Sequence, residues 1–248
     1  MKGREKPASL LRILRVRVRE EAARNGWQRA GRNLWADGCE FLRESLPGRK
    51  RLRYGDIEYD WDYRVDTTAA TVKWKTRLAG ALSGVGYQPC DPGLFHRTIG
   101  KLPVAYGDFV LIDLGSGKGR ALLLAADYPF KRIVGIELMP ELDEIARANV
   151  SRYQSLSQRC FAIETVCGDA RDWQFPWEPI VVFLFNPLPE AALEVVVENL
   201  AGSLRAKPRP AWIVYHNPVL EHLLHRAAFQ RVEGDPQYAI YRNQSEPS

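Results

Sequence analysis

A glycine-rich turn between a short apolar run and a row of helix-forming residues constrains this chain more than any other feature. Residues 110–114 read Val-Leu-Ile-Asp-Leu, a run typical of a buried strand, and residues 115–119 read Gly-Ser-Gly-Lys-Gly. Leu and Ala fill residues 121–126, which predicts a helix. A strand, a glycine turn and a helix in this order open a doubly wound α/β domain, and the glycines let a ligand approach the backbone.

Further apolar runs follow at the spacing of alternating strands and helices. The parallel strands are expected at residues 109–114, 132–137, 161–166, 180–185 and 211–215, followed by an antiparallel pair at 229–232 and 238–241. The intervening helices are expected at 118–127, 140–154 and 191–204. The sequence therefore predicts an α/β fold with a doubly wound, mostly parallel sheet.

The spacing of the glycines bears on which ligand the turn suits. The dinucleotide fingerprint is Gly-x-Gly-x-x-Gly, whereas here the third glycine comes one residue early, at Gly119, and Arg120 takes the last position. This counts against NAD or FAD. Acidic residues stand before the turn, at Asp113, and at the end of the second strand, at Glu137. A carboxylate at Glu137 can accept hydrogen bonds from both hydroxyls of a ribose at the ligand-binding edge of the sheet.

With these residues the chain resembles the class I S-adenosylmethionine (SAM) methyltransferases, whose first motif reads like residues 110–119. The resemblance covers about residues 87–242. It implies a seven-stranded, mostly parallel sheet in the order 3-2-1-4-5-7-6, with strand 7 antiparallel, and SAM as the cofactor. In such an enzyme the cofactor supplies the reactive group, while the protein binds it, aims the nucleophile and excludes water.

The resemblance also implies which residues contact the cofactor. Asp169 is expected to accept a hydrogen bond from the adenine amino group, with the Ala170 N–H bonding the ring; alternatively, Asp169 caps a short helix. Tyr87 lies in a Tyr-x-Pro segment like the one that folds over the methionine half of SAM in several methyltransferase families, or in a simple connecting loop. The predicted cofactor-binding residues are Tyr87, Asp113, Gly115, Ser116, Gly117, Gly119, Glu137, Asp169, Ala170 and Asn186.

Residues 186–189, Asn-Pro-Leu-Pro, resemble the Asn-Pro-Pro-aromatic motif of enzymes that methylate amino groups of adenine or glutamine. The last two positions depart from that motif, and without an aromatic ring a flipped base has no stacking partner. Asn186 is predicted to position a nucleophile. His216, after the fifth strand, is predicted to take up a proton, or else to bond a loop carbonyl structurally. Lys118 and Arg120 are expected to meet the cofactor's carboxylate or to point to solvent.

The positive charge of the chain lies at its N-terminus. Residues 1–53 hold 15 Lys and Arg against six Asp and Glu, a net charge of +9, whereas the remaining residues hold 20 against 24, a net charge of −4. Residues 10–24 read as a basic amphipathic helix, although 15–19 also alternate like a strand, and a second helix is expected over 34–46. This arm either contacts an anionic partner, nucleic acid or a membrane surface, or is a solvated helix or tail.

Two elements are expected between the arm and the glycine turn. Residues 57–65 alternate strictly between apolar and polar, which predicts a half-buried strand whose acidic face protects an edge or attracts a cationic substrate. A helix capped by Asp66 or Thr67 is expected to follow, to about residue 82. Asp91 and the proline after it predict the start of another helix, ending at Ile99.

Length and composition bound the remaining possibilities. With 248 residues and 46% hydrophobic content, the chain can bury the core of one domain with an extension. No apolar run approaches the roughly 18–20 residues that span a bilayer. The four cysteines lack metal-ligand spacing, which favours a reduced, cytoplasmic setting without a metal site. The expected parts are a basic helical arm (1–53), a preamble that covers the cofactor (54–106) and a SAM-binding methyltransferase domain (107–248).

These observations predict methyl transfer from SAM to an unidentified acceptor, with an amine or a protein lysine favoured and a small molecule also open. Three other functions stay open: a SAM-binding module without catalysis, a nucleic-acid-binding protein that uses the basic arm, and an NAD-dependent oxidoreductase.

Overall fold

The computed structural model describes residues 15, 18–19, 22–23, 26–32, 35, 57–69, 72, 86–185 and 188–243. Its centre is a seven-stranded sheet in the order β3-β2-β1-β4-β5-β7-β6, in which β1 to β5 run parallel and β7 is antiparallel to β5 and β6. The strands are β1 (Val110–Leu114), β2 (Arg132–Glu137), β3 (Ile163–Cys167), β4 (Ile180–Phe185), β5 (Ala211–His216), β6 (Phe229–Gly234) and β7 (Tyr238–Asn243). The predicted fold class and strand order are therefore confirmed.

Helices precede and connect the strands. They are α1 (Ile57–Tyr63), α2 (Pro92–Ile99), α3 (Arg120–Ala125), α4 (Pro140–Arg152), α5 (Glu190–Ala206) and α6 (Glu221–Arg226), with short 3-10 turns at Tyr106–Asp108 and Ala170–Asp172. No element was predicted from the sequence at α6. Among the described residues, no helix is both long and apolar enough to pass through a bilayer.

The sheet is buried on both faces, which explains its continuous apolar strands. Alternate residues of β1 enter different cores: Ile112 packs with the cluster that includes α5 and α6, whereas Leu111 packs with the cluster that includes α2 and α3. Phe95 of α2 meets Phe183 of β4 edge-on, with ring centroids 5.1 Å apart. This packing sets α2 against the sheet close to the carboxyl ends of the strands, the edge at which open α/β sheets bind ligands.

The beginning of α2 follows the prediction closely. The Asp91 side chain accepts a hydrogen bond from the Leu94 N–H at 2.6 Å, and Pro92 occupies the first helical position. Both features are standard for a helix N-terminus, since proline has no N–H to leave unsatisfied there. The predicted end of this helix at Ile99 is also confirmed.

The strand predicted at residues 57–65 is wrong: residues 57–63 form helix α1. Helical spacing brings Tyr59 and Tyr63 together, with ring centroids 4.8 Å apart, and leaves Trp61 82% exposed. Asp60, a polar position of the alternation, turns towards the protein and pairs with Arg120. Tertiary pairing of a charged side chain therefore overrides the local pattern. Of the helix predicted to follow, to about residue 82, Asp66 and Thr67 have no regular structure, and residues 70, 71 and 73–82 lie outside the described residues.

Candidate cofactor site and the segment that covers it

The glycine turn folds back over the carboxyl end of β2. The N–H groups of Gly115 and Ser116 both donate to the Ile136 carbonyl, at 2.8 and 3.0 Å. The Gly117 N–H donates to Glu137 Oε2 at 2.8 Å. Gly117 has a φ of 55°, and a Cβ added to it would overlap the ring of Tyr87. Only glycine fits this position, because both the backbone conformation and the neighbouring ring exclude a side chain.

The other small residues of the turn support this path. Gly115 and Gly119 also have positive φ values, 77° and 84°, and Gly119 is the residue before α3. The side chain of Ser116 lies against Gly135 of β2, where a Cβ would come within 2.7 Å of the Ser116 Oγ. The Ser116 side chain therefore packs towards β2.

Two buried carboxylates lie at this edge of the sheet. Asp113 and Glu137 belong to the neighbouring strands β1 and β2, and both are almost wholly inaccessible to solvent. Burial raises the pKa of Asp113 to about 8, and repulsion by Glu137 adds to the effect. Burial also raises the pKa of Glu137 to about 6, although backbone N–H donors oppose this. Such a pair favours a ligand that brings hydroxyl donors or a positive charge.

Glu137 keeps capacity for such a ligand. Its Oε1 accepts the Met139 N–H at 2.7 Å, in addition to the Gly117 bond to Oε2. A carboxylate offers about four lone-pair directions, so acceptor positions remain on both oxygens. The geometry fits the ribose role that the sequence predicts for this residue, and that role stays a prediction.

Asp169 lies at the neighbouring strand end, because the Gly168 N–H donates to the Glu137 carbonyl at 2.9 Å. Its carboxylate caps the 3-10 turn that contains Ala170, accepting the Arg171 N–H at 2.9 Å. It also pairs with the guanidinium of Arg171, at 2.6 Å to the nearer nitrogen. The capping alternative is therefore present in the structure, and an adenine amino group would share this carboxylate with Arg171.

Tyr87 covers the glycine turn from the N-terminal side. Its ring lies on Gly117, and its hydroxyl donates to the Thr67 carbonyl at 2.7 Å. Downstream, burial raises the pKa of the Cys90 thiol, and the nearby Asp113 carboxylate adds to this effect. Residues 87–90 thus pass over the carboxyl end of β1, and the contact of Tyr87 with the cofactor stays a prediction.

The sequence predicts that Lys118 and Arg120 meet the cofactor's carboxylate or point to solvent. The second alternative is wrong, because neither side chain points to solvent. Lys118 is 0% and Arg120 2% exposed. The Lys118 ammonium donates to Asp66 Oδ1 and to the Thr68 carbonyl, both at 2.8 Å. Arg120 Nε donates to the Thr67 hydroxyl at 2.6 Å. Both cations are directed at the chain before the glycine turn, because burial of a charge requires paired and hydrogen-bonded partners.

His216, predicted to take up a proton or to bond a loop carbonyl, is 1% exposed. Its Nε2 lies 2.9 Å from the Thr98 hydroxyl of α2, and its ring meets Phe183 at 4.8 Å between centroids. Burial lowers its pKa to about 4, so the ring is neutral at physiological pH. Asn186, the other predicted catalytic residue, lies outside the described residues, directly after Phe185, which pairs with His216 between β4 and β5.

The part of the chain that contains this site resembles known proteins. Residues 111–207 match a family model described as a methyltransferase domain. This part of the chain therefore matches a methyltransferase domain, and the order of its strands is the one that the resemblance to class I SAM-dependent methyltransferases implies. The match begins in β1 and ends after α5, so it includes the glycine turn, both buried carboxylates and Asp169.

Individual proteins resemble parts of the chain. Over 80 residues it is 48% identical to the release factor glutamine methyltransferase of Vibrio cholerae serotype O1, a match that covers 32% of this chain and 27% of that protein. An RNA methyltransferase from Salinibacter ruber, solved with S-adenosyl-L-homocysteine, is 24% identical at a TM-score of 0.43, over 64% of this chain and 97% of that one. A predicted N6-adenine-specific DNA methylase from Listeria monocytogenes is 15% identical at a TM-score of 0.49, over 68% and 54%.

Within the methyltransferase domain, the structure brings most of the predicted cofactor residues to one edge of the sheet. Sequence reasoning missed the residues that attach the preceding segment to it: Asp60, Thr67 and Asn149. The Asn149 side chain donates to the carbonyls of Asp66 and Lys118, at 2.8 and 2.9 Å. The sequence feature that could have indicated this attachment is the pair of cations at Lys118 and Arg120, since buried cations require partners elsewhere in the chain.

Proposed function

We propose that this protein transfers the methyl group of SAM to an amino group, on a protein side chain or on a smaller amine. The proposal rests on one observation: the glycine turn, Asp113 and Glu137 lie together at one buried edge of the sheet, beneath the ring of Tyr87. When bound, SAM supplies an electrophilic methyl group on a sulfonium. The residues then have to hold the cofactor, align the acceptor and keep water out.

Each part of the site has a proposed task. Glu137 would grip the ribose hydroxyls, and Asp169 with the Ala170 N–H would recognise the adenine. Asp113, with its raised pKa, would meet the positively charged methionine end. Tyr87 would close the methionine half from above. The glycines at 115, 117 and 119 with Ser116 would form the backbone wall that the cofactor approaches.

An amino acceptor is favoured by the residues that follow β4. Asn186 would hold the acceptor nitrogen, as the related Asn-Pro motif does in amino-group methylation, and His216 would line the same side. The partially matching relative is named as a glutamine methyltransferase, which adds support for a nitrogen acceptor on a protein. A neutral His216 is available as a hydrogen-bond acceptor, because its pKa of about 4 leaves it unprotonated at pH 7.

The basic arm is proposed to help bind the acceptor. Residues 1–53 carry a net charge of +9 against −4 in the rest of the chain, which favours an anionic macromolecule. Binding that weakens steeply with added salt would support this proposal, and binding that is indifferent to salt would contradict it.

The first test is calorimetry with SAM and with its demethylated product, followed by a labelled-methyl screen of a cell extract. We expect one site per chain and label on an amino group. Binding without label transfer to any acceptor would favour a non-catalytic SAM-binding module. Binding of NAD in preference to SAM would overturn the proposal.

A further inference from the structure

Residues 57–69, called here the covering segment, are attached to the glycine turn by buried charges. Asp66 accepts from Lys118, and Asp60 pairs with Arg120 at 3.4 Å. The attachment joins positions more than 50 residues apart in the chain. Two buried cations hold this segment in place, and burying each cation without its partner would cost free energy. The segment is therefore a fixed part of the site.

Within this attachment, Thr67 is the point on which the bonds converge. It is fully buried. Its hydroxyl accepts from Arg120 Nε at 2.6 Å and donates to Asp60, and its N–H donates to Asp60 Oδ2 at 2.8 Å. The Thr68 N–H bonds the same carboxylate oxygen at 2.8 Å. Hydrogen bonds of the Thr67 hydroxyl, the Thr67 N–H and the Thr68 N–H therefore fix the backbone at Thr67.

The carbonyl of Thr67 accepts a hydrogen bond from the Tyr87 hydroxyl at 2.7 Å. The ring of Tyr87 in turn lies on Gly117, whose N–H bonds Glu137. A continuous set of contacts thus runs from Arg120 through Thr67 and Tyr87 to the centre of the glycine turn. The guanidinium of Arg120 lies 5.0 Å from the centre of the Tyr59 ring.

We propose that Arg120 is a positioning residue for the cofactor: it fixes Thr67, and Thr67 holds Tyr87 over Gly117. The inference rests on the proposed function, in which Tyr87 closes the methionine half of the SAM site. Because Arg120 acts through Tyr87, its removal loosens the ring and not the glycine turn itself. SAM is then held less tightly and dissociates faster.

A double-mutant cycle tests this directly, since coupled residues give non-additive effects. SAM affinity is measured by calorimetry for the intact chain, Arg120→Met, Tyr87→Phe and the double variant. Both single variants loosen the Tyr87 ring, and a loss of about the net free energy of one hydrogen bond predicts a dissociation constant for SAM about 5–10-fold higher in each. The double variant should be no more than about twofold weaker than the weaker single one, whereas independent effects would multiply.

Arg209→Met is the matched control. Arg209 is also a buried arginine, and it donates to the carbonyls of Glu178, Ser203 and Lys207 at the opposite edge of the sheet. We expect a lower melting temperature with SAM affinity within about twofold of the intact chain. An equal loss of affinity in this variant would show a general effect of destabilisation and would overturn the inference.

A milder variant covers the case in which Arg120→Met does not fold. Thr67→Val removes the hydroxyl that Arg120 bonds and keeps the side-chain shape, whereas Thr67→Ser keeps the hydroxyl. The inference expects faster SAM dissociation in the first and near-normal dissociation in the second. Multiplying effects in the cycle, or equal rates in the two Thr67 variants, would overturn it. Absence of SAM binding by the intact chain would instead overturn the proposed function.

Discussion

The two ends of the carboxyl edge differ in how their polar groups are satisfied. At the β1–β2 end, Glu137 accepts two backbone N–H groups, and Lys118 and Arg120 bond the covering segment. At the β4–β5 end, His216 bonds Thr98 through Nε2, and its buried Nδ1 has no partner within the described part of the chain. Aromatic rings pack against it, with the centroids of Phe183 and Phe185 at 4.8 and 6.2 Å.

The difference fits a division of tasks between the two ends. A site for one fixed cofactor gains from groups held in place before binding, because less order has to be imposed when the ligand arrives. A buried polar atom without a partner costs free energy unless a bound group satisfies it. We therefore expect substitutions at the first end to weaken SAM binding and substitutions at the second to alter methyl transfer.

Glu137→Gln is the change that should affect SAM binding most. The amide keeps the size of the side chain but loses the charge that strengthens the bonds to Gly117 and Met139 and the bond proposed for the ribose, so the dissociation constant should rise roughly 100-fold. Glu164→Gln, on the exposed face of neighbouring β3, is the control and should stay within about twofold. Calorimetry gives both values. A change below threefold in Glu137→Gln would remove the ribose role.

Asp169→Asn should have a smaller effect. Asparagine still caps the 3-10 turn, but the charge-assisted bond to the adenine amino group is lost, so SAM should bind about 10-fold more weakly. An analogue with inosine in place of adenosine should lose less affinity in this variant than in the intact protein. Asp172→Asn, three residues along and exposed, should behave as the intact protein does. Equal discrimination between the two nucleosides in both proteins would count against adenine recognition by Asp169.

Replacing Asp113 should change the number of protons released on SAM binding more than it changes the affinity for SAM. With a raised pKa of about 8, this carboxyl is largely protonated at pH 7 in the free protein. A cofactor ammonium nearby would lower that pKa, so SAM binding should release up to about one proton. Calorimetry in two buffers of different ionisation enthalpy measures the release, and Asp113→Asn should abolish most of it. Unchanged release in that variant would place the proton elsewhere, with Glu137 the first alternative.

The same raised pKa gives a stability prediction of definite sign. The folded protein holds a proton on Asp113 that the unfolded chain loses above a pH of about 4, the ordinary value of an aspartate. The stabilisation is therefore complete below that pH and is lost as the pH rises towards 8. The urea midpoint of the ligand-free protein should fall over this window, and Asp113→Asn should flatten the fall.

His216→Asn should change SAM binding least, by no more than about twofold, because the residue lies at the other end of the edge. Its pKa is lowered to about 4 by burial, so the ring stays neutral between pH 5 and 8 and methyl transfer should show no inflection near the ordinary histidine value of 6.5. An inflection there that disappears in His216→Asn would restore a general-base role. Reduced transfer with unchanged SAM binding would support the division between the two ends.

Much of the fold could be predicted from the sequence because it depends on local sequence patterns. Strands β2 and β4 have the predicted bounds, and the N-cap at Asp91 lies where the Asp-Pro pair placed it. Glu137 and Asp113 were placed at the binding edge because parallel strands bring their carboxyl ends together. Asn186 and most of the basic arm lie outside the described residues, so their predicted roles stay predictions.

The errors arose where distant side chains decide the outcome. The alternation in residues 57–65 predicted a strand, but Asp60 is needed as a partner for Arg120 and the segment folds as α1. Lys118 and Arg120 looked like groups for a ligand or for solvent, and both are enclosed by the covering segment. Neither result has a local signature, because the partners are separated by more than 50 residues.

By itself the sequence determined the succession of strands and helices and the edge at which a nucleoside would lie, because apolar periodicity and a glycine turn act over a few neighbouring residues. The order of the strands in the sheet followed from the resemblance to the class I methyltransferases. Only the tertiary structure decided that Arg120 bonds Thr67, that Thr67 bonds Tyr87, and that His216 is enclosed. The physical reason is that a buried charge or hydroxyl is satisfied by whichever partner the folded chain brings within about 3 Å, and sequence distance places no limit on that partner.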